Sequence, residues 1–113
     1  MDLAKKMVKS CSENGARTAK FQYWNPSTLK NGSWDEDGRR DIYKRAALDE
    51  EKIQTLIDYC NSYAVNSLFS VFTLAEAKHL SKLSIEEIKI PSHEVANYEL
   101  IEFCSKNFKK VFF

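Results

Sequence analysis

The sequence predicts an α/β protein with parallel strands: a partial (β/α)8 (TIM) barrel of about four parallel strands with covering helices. Three observations predict it. Helical and strand patterns alternate along the chain, the signature of helices packed on a parallel sheet. The strand-like runs, such as SLFSVF at residues 67–72, are mostly apolar, as strands buried in parallel sheets are. No glycine-rich phosphate loop, neither GxGxxG nor GxxxxGK(S/T), follows any of them, so the nucleotide-binding doubly wound sheets lose their main support. The chain has 113 residues, whereas a closed eight-stranded barrel needs about 200. The expectation is therefore a single partial barrel domain over residues 1–113.

The elements follow in order. Residues 2–14 read as a helix with Leu3, Met7, Val8 and Cys11 on one stripe and Gly15 as its stop. Residues 18–24 (TAKFQYW) read as an aromatic-rich strand. Residues 25–45 have no sustained period and read as a long inserted loop with a helical turn near residues 42–45; a loop of that length is often functional. Asp49 is a helix cap, and Ile53, Leu56, Ile57 and Cys60 form the apolar stripe of a helix reaching Tyr63. The strand at residues 67–72 leads to a capping box, Thr73 and Glu76, opening a helix with Leu74, Ala77, Leu80 and Leu83 inward. Residues 87–90 form a strand. Residues 97–107 form a helix with Leu100, Ile101 and Cys104 inward, and residues 110–113 begin another strand.

Composition narrows the function. Lys plus Arg is 17, Asp plus Glu is 16 and the net charge is +1, so the basic surplus of nucleic-acid binders is absent. No apolar run approaches the roughly 20 residues of a membrane span, and the first ten residues lack the apolar core of a signal peptide. Hence no nucleic-acid and no membrane partner is expected; a membrane-surface reading of the basic and aromatic residues 107–113 is secondary to a strand. Cys11, Cys60 and Cys104 are widely spaced, form no CxxC pair, and fit buried reduced thiols in a cytoplasmic protein.

In parallel α/β folds the chemistry lies at the carboxyl ends of the strands. Lys20 and Lys89 lie inside apolar strands there, which is costly unless an anion meets them. They either converge on a phosphate or carboxylate, or snorkel to solvent. Ser70 and Ser92 offer hydroxyls suited to phosphate oxygens. Glu94, just past a strand end, suits a general acid or base, or is a solvated loop carboxylate. His93 has no partner at metal-ligand spacing. His79 reads as a solvent-face residue.

These residues resemble the sialic acid synthase family (N-acetylneuraminate synthase and its relatives). The likeness rests on Ala19-Lys20-Phe21-Gln22 after a helix opening Asp2-Leu3-Ala4-Lys5-Lys6, on Leu56-Ile57-Asp58-Tyr59-Cys60, and above all on Ile88-Lys89-Ile90-Pro91-Ser92-His93-Glu94 followed by Asn97 and Leu100-Ile101. The resemblance implies a (β/α)8 barrel, covered here from its first helix to the start of its fifth strand. It implies condensation of phosphoenolpyruvate with an N-acylated amino sugar to a nine-carbon sialic acid, with a divalent metal, manganese or magnesium, whose ligands are not in this chain. By resemblance, Lys20, Lys89 and Ser92 contact phosphoenolpyruvate, and Ser70 stands where the family usually has a phosphate-touching threonine. Glu94 matches the catalytic glutamate, Gln22 belongs to the pocket, and His93 stands beside it. Pro91 and His93 depart from the small residue and glycine usual beside the serine. As a fragment of such an enzyme the chain is expected to be inactive alone and to act as a homo-oligomer or with the missing segments. Two other classes remain open: a barrel segment that only associates with another chain, and a small domain that binds an anionic metabolite.

Overall fold

A computed structural model describes residues 1–113. Its elements are α1 (Asp2–Glu13), β1 (Thr18–Gln22), α2 (Arg39–Ala46), α3 (Glu50–Ser62), β2 (Asn66–Ser70), α4 (Leu74–Leu80), β3 (Glu87–Lys89), α5 (Tyr98–Asn107) and β4 (Lys110–Phe112). The four strands form one parallel sheet in the order β1-β2-β3-β4. Each βα unit thus lies beside the next, as in an arc of a barrel.

The caps read from sequence are in place. Asp49 accepts the Lys52 N–H at 2.9 Å and starts α3. Thr73 and Glu76 form the reciprocal box that starts α4. A third cap, which the sequence reading did not assign, is Asn97, whose Oδ1 accepts the Leu100 N–H at 3.3 Å and starts α5. Each satisfies an amide that the first turn leaves without a partner. Gly15 has φ +81° after α1, a left-handed turn that glycine adopts without a Cβ clash.

The two faces of the sheet differ. Phe21, Phe69, Ile88 and Val111 are in register on one face. They pack with Ile53, Leu56 and Ile57 of α3, Ala77 and Leu80 of α4, and Leu100 and Cys104 of α5. Val8 of α1 adds a smaller cluster with Ala19, Cys60 and Val65. Strand periodicity puts Lys20, Gln22, Leu68, Ser70, Glu87, Lys89, Lys110 and Phe112 on the opposite face, away from the main cluster that Phe69 and Ile88 form with α3, α4 and α5.

Several boundaries differ from the sequence reading. β1 stops at Gln22 and β2 at Ser70, because the chain turns into the loops at the strand ends. α4 stops at Leu80, leaving Leu83 in the following turn. Residues 25–45 are not a bare loop. They carry short 3-10 turns at Pro26–Thr28 and Ser33–Asp35 and the eight-residue α2. This insert is tied by Arg40, whose guanidinium pairs with Asp35 and donates to the carbonyl oxygens of Leu29 and Lys30, each at 3.1 Å.

Candidate functional site

The carboxyl ends of the strands gather most of the residues singled out above. Gln22, Ser70, Lys89 and Phe112 lie at one level of the open face, as successive partners across the four strands. Lys20 pairs with Leu68 instead. It therefore sits one inward-facing position deeper, about 6–7 Å along the strand, and is not equivalent to Lys89 in height. Nor is it buried: Lys20 is exposed, and Lys89 is half-buried. The Lys89 ammonium donates to the Ile90 carbonyl at 2.9 Å, which holds its charge at the strand end. Ser70 is buried, with 3% of its surface exposed.

Past β3, Pro91 leads the chain away from the sheet, and Ser92–Glu94 form a 3-10 turn closed by the Glu94 N–H on the Pro91 carbonyl at 2.9 Å. The turn presents Ser92 and His93 exposed and Glu94 half-buried. Asn97 donates from Nδ2 to Glu94 Oε2 at 2.9 Å while its Oδ1 caps α5. One side chain therefore fixes both the helix start and the carboxylate. Sequence reading missed this link, although an Asn three residues after a Glu, at a helix start, carries the signal. His93 Nε2 is 3.8 Å from Glu94 Oε1, and its ring lies 5.5 Å from that of Phe72.

A cleft of about 530 Å³ opens beside this turn, lined by Trp24, Thr28, Trp34, Tyr43, Phe72, Glu76, His93 and Glu94 among others. An aromatic row crosses it: Tyr43 to Trp24 at 4.5 Å, Trp24 to Phe72 at 5.7 Å, Phe72 to His93 at 5.5 Å between ring centroids. Lys20 and Gln22 line a different groove, of about 750 Å³, between α1, β1 and α2. Ser70, Lys89 and Ser92 line neither. The structure thus brings Gln22, Ser70 and Lys89 to one level of one face, puts His93 and Glu94 over the cleft, and leaves Lys20 below.

Glu76 has a larger role than a capping box. It is 6% exposed. Its Oε2 accepts the N–H groups of Phe72 and Thr73 at 2.7 and 3.0 Å, and its Oε1 accepts the Asn25 N–H at 3.1 Å. Burial raises its pKa, and these backbone donors oppose the rise. His79 is not on the solvent face. Its Nε2 is buried without a hydrogen bond, 3.8 Å from Glu50, and its ring faces Tyr23 at 5.7 Å.

No three His, Cys, Asp or Glu side chains come together to hold a metal ion, and no helix is long and apolar enough to cross a membrane.

Comparison with known proteins agrees with the geometry. The NeuB family model matches residues 7–113. N,N'-diacetyllegionaminic acid synthase of Legionella pneumophila is 27% identical over 116 residues, covering 93% of this chain and 33% of that protein. Pseudaminic acid synthase of Helicobacter pylori is 24% identical, covering 98% of this chain and 36% of that protein. The chain therefore spans about a third of the length of the relatives it matches. The crystal structure of N-acetylneuraminic acid synthetase from Leptospira borgpetersenii superposes with a TM-score of 0.80 at 20% identity, over 94% of this chain and 36% of that one. The four parallel βα units accordingly have the fold of an arc of an α/β barrel. With the family model spanning nearly all of the sequence, this chain belongs to the NeuB family.

Proposed function

We propose that this chain supplies the phosphoenolpyruvate-holding arc of a synthase that joins phosphoenolpyruvate to an N-acylated amino sugar, giving a nine-carbon sialic-acid-type product. One observation carries the reading: Gln22, Ser70 and Lys89 share one level of the sheet face opposite the main core, with Ser92 and Glu94 on the turn that follows. Lys89 at the strand end and the exposed ammonium of Lys20 below it supply positive charge for a phosphate and a carboxylate, and the hydroxyls of Ser70 and Ser92 donate to phosphate oxygens. Glu94, oriented by Asn97, manages the proton at the condensing carbon. The divalent metal, manganese or magnesium, is held by residues outside these 113, and the segment alone does not turn over. It works in the cytoplasm, in a homo-oligomer or joined to further barrel segments.

The test is binding of phosphoenolpyruvate to the purified 113-residue chain, by calorimetry and ³¹P NMR. A charge-assisted hydrogen bond contributes about 1.5–3 kcal/mol. Lys89→Ala is therefore expected to weaken binding by roughly 10- to 100-fold, and Lys20→Ala, more exposed, by less. Absence of saturable binding, or unchanged binding in both variants, overturns the reading. A second reading, an association module, is favoured by the apolar groove with exposed Leu3, Met7 and Ile42 at the β1 edge. Light scattering that shows only monomer at high concentration counts against it.

A further inference from the structure

The cleft beside Glu94 is walled by segments that leave three different strands, and a single buried carboxylate ties two of them. Trp24 and Asn25 follow β1; Phe72 and Thr73 follow β2. Glu76 Oε1 takes the Asn25 N–H at 3.1 Å and Oε2 takes the Phe72 and Thr73 N–H groups at 2.7 and 3.0 Å. A helix cap needs only the Thr73 half of this set. The bond to Asn25 reaches a segment 51 positions away and does nothing for the helix. Asn25 and Phe72 are the backbone neighbours of the aromatic row, in which the Trp24 and Phe72 rings lie 5.7 Å apart and the row ends on His93, 5.5 Å from Phe72. Charge-assisted acceptance of three amides in a buried setting is strong and directional, and its burial raises the Glu76 pKa as it should.

We propose that Glu76 is a positioning residue of this site: one carboxylate sets the separation of the β1 and β2 loops, and through Trp24 and Phe72 it sets where His93 stands beside Glu94. This rests on the synthase reading for its purpose, but not for its geometry. It assigns Glu76 no contact with substrate.

The experiment uses the ¹⁵N-labelled 113-residue chain without ligand. In the unaltered protein the Asn25 amide is expected to exchange with solvent at least about tenfold more slowly than its sequence dictates, although it lies in no strand. Glu76→Gln, which offers one acceptor oxygen in place of two, is expected to remove that protection and to shift the Trp24 indole and His93 ring resonances. Thr73→Ala, which deletes the helix cap but keeps the carboxylate, is expected to leave all three signals unchanged even where its thermal midpoint falls as far. An unprotected Asn25 in the unaltered chain overturns the proposal. So does a Glu76→Gln variant that leaves Trp24 and His93 in place, or a Thr73→Ala variant that moves them equally. If Glu76→Gln does not fold, the exchange rate of Asn25 in the unaltered chain decides alone. Titrating the same sample with phosphoenolpyruvate tests the synthase reading separately: no response there, with Asn25 protected, removes the proposed function and leaves the positioning role standing.

Discussion

Replacing Ile88 and Leu68 by alanine, one at a time, tests the division of the sheet into a core face and an open face. Ile88 is fully buried at 0% exposure, in register with Phe69 and Val111, inside the main core cluster. Ile88→Ala removes three carbons. At about 0.8 kcal/mol per buried methylene the transfer loss is about 2.4 kcal/mol. The tight surroundings leave a cavity that adds about 1 kcal/mol more, so the expected loss is about 3–4 kcal/mol. A chain of this length has about 6–17 kcal/mol of stability in total, so the variant stays folded but weakened. Leu68 is also shielded, at 8% exposure, yet it belongs to neither core cluster and lies on the opposite face, in register with the exposed Lys20. Flexible neighbours can close over the gap, so Leu68→Ala should cost about 1–2 kcal/mol. In urea, with a slope of about 1–1.5 kcal/mol/M, the two midpoints should differ by about 0.7–3 M. Equal shifts would refute the two-face argument and mean that a second packed layer covers Lys20, Ser70 and Lys89.

Three further outcomes follow from single features. Ala64 has φ +53°, a left-handed conformation that costs a residue with a Cβ about 1 kcal/mol; Ala64→Gly should raise stability by up to about 1 kcal/mol in the same urea assay. Cys60 and Cys104 are fully buried, and burial pushes both thiols up to about 11, so a thiol reagent at neutral pH should label Cys11 first and reach the others only on unfolding. Asp35 is held down to about 2, chiefly by the Arg40 side chain. A depressed carboxyl stabilises above its ordinary value and loses that contribution as pH falls through the folded one. Asp35→Asn should therefore lower the thermal midpoint at pH 7, and the difference should fade as pH approaches 2. A difference that persists at pH 2 would place the effect elsewhere.

The parts of this fold that depend on near neighbours in sequence were legible there. The Asp49 cap and the Thr73–Glu76 box need residues three apart, and both are in place. From the apolar run at residues 67–72, Phe69 and Val71 are core in the structure, as are Ile53, Leu56, Ile57 and Cys60 of the α3 stripe. What failed lacked such a local signal. α2, RRDIYKRA, buries no residue and is held by Arg40 and by the Trp24–Tyr43 contact, so no apolar stripe announces it. The depth of Lys20 depends on register with β2, which the β1 sequence does not encode alone. The bond from Asn25 to Glu76 joins residues far apart in the chain, and the burial of His79 depends on Tyr23 and Glu50 packing beside it. Within the candidate site, Lys89, Ser92 and Glu94 stand out in the sequence because they share one short segment at a strand end. The Asn97–Glu94 link was missed because Asn97 acts by holding another group, and the Asn25–Glu76 link because it runs through a backbone N–H that no side-chain pattern marks.

The order of strands in the sheet has a kinetic consequence. Because spatial order repeats chain order, every pairing joins sequence neighbours, with Phe69 meeting Ile88 and Glu87 meeting Lys110 after short crossovers. The pairing of Thr18 with Asn66 spans the insert as well and closes a loop roughly twice as long, at an added entropic cost of about 0.6 kcal/mol. Short closures come first when topology sets the rate. The three later strands thus form the template, and β1 joins it last. Lys20 and Gln22 ride on β1, whereas Ser70 and Lys89 belong to the template. The face that carries Lys20, Gln22, Ser70 and Lys89 is therefore finished by the final docking event, and a slowed closure of the 25–45 segment would delay its assembly without preventing the rest of the sheet from forming.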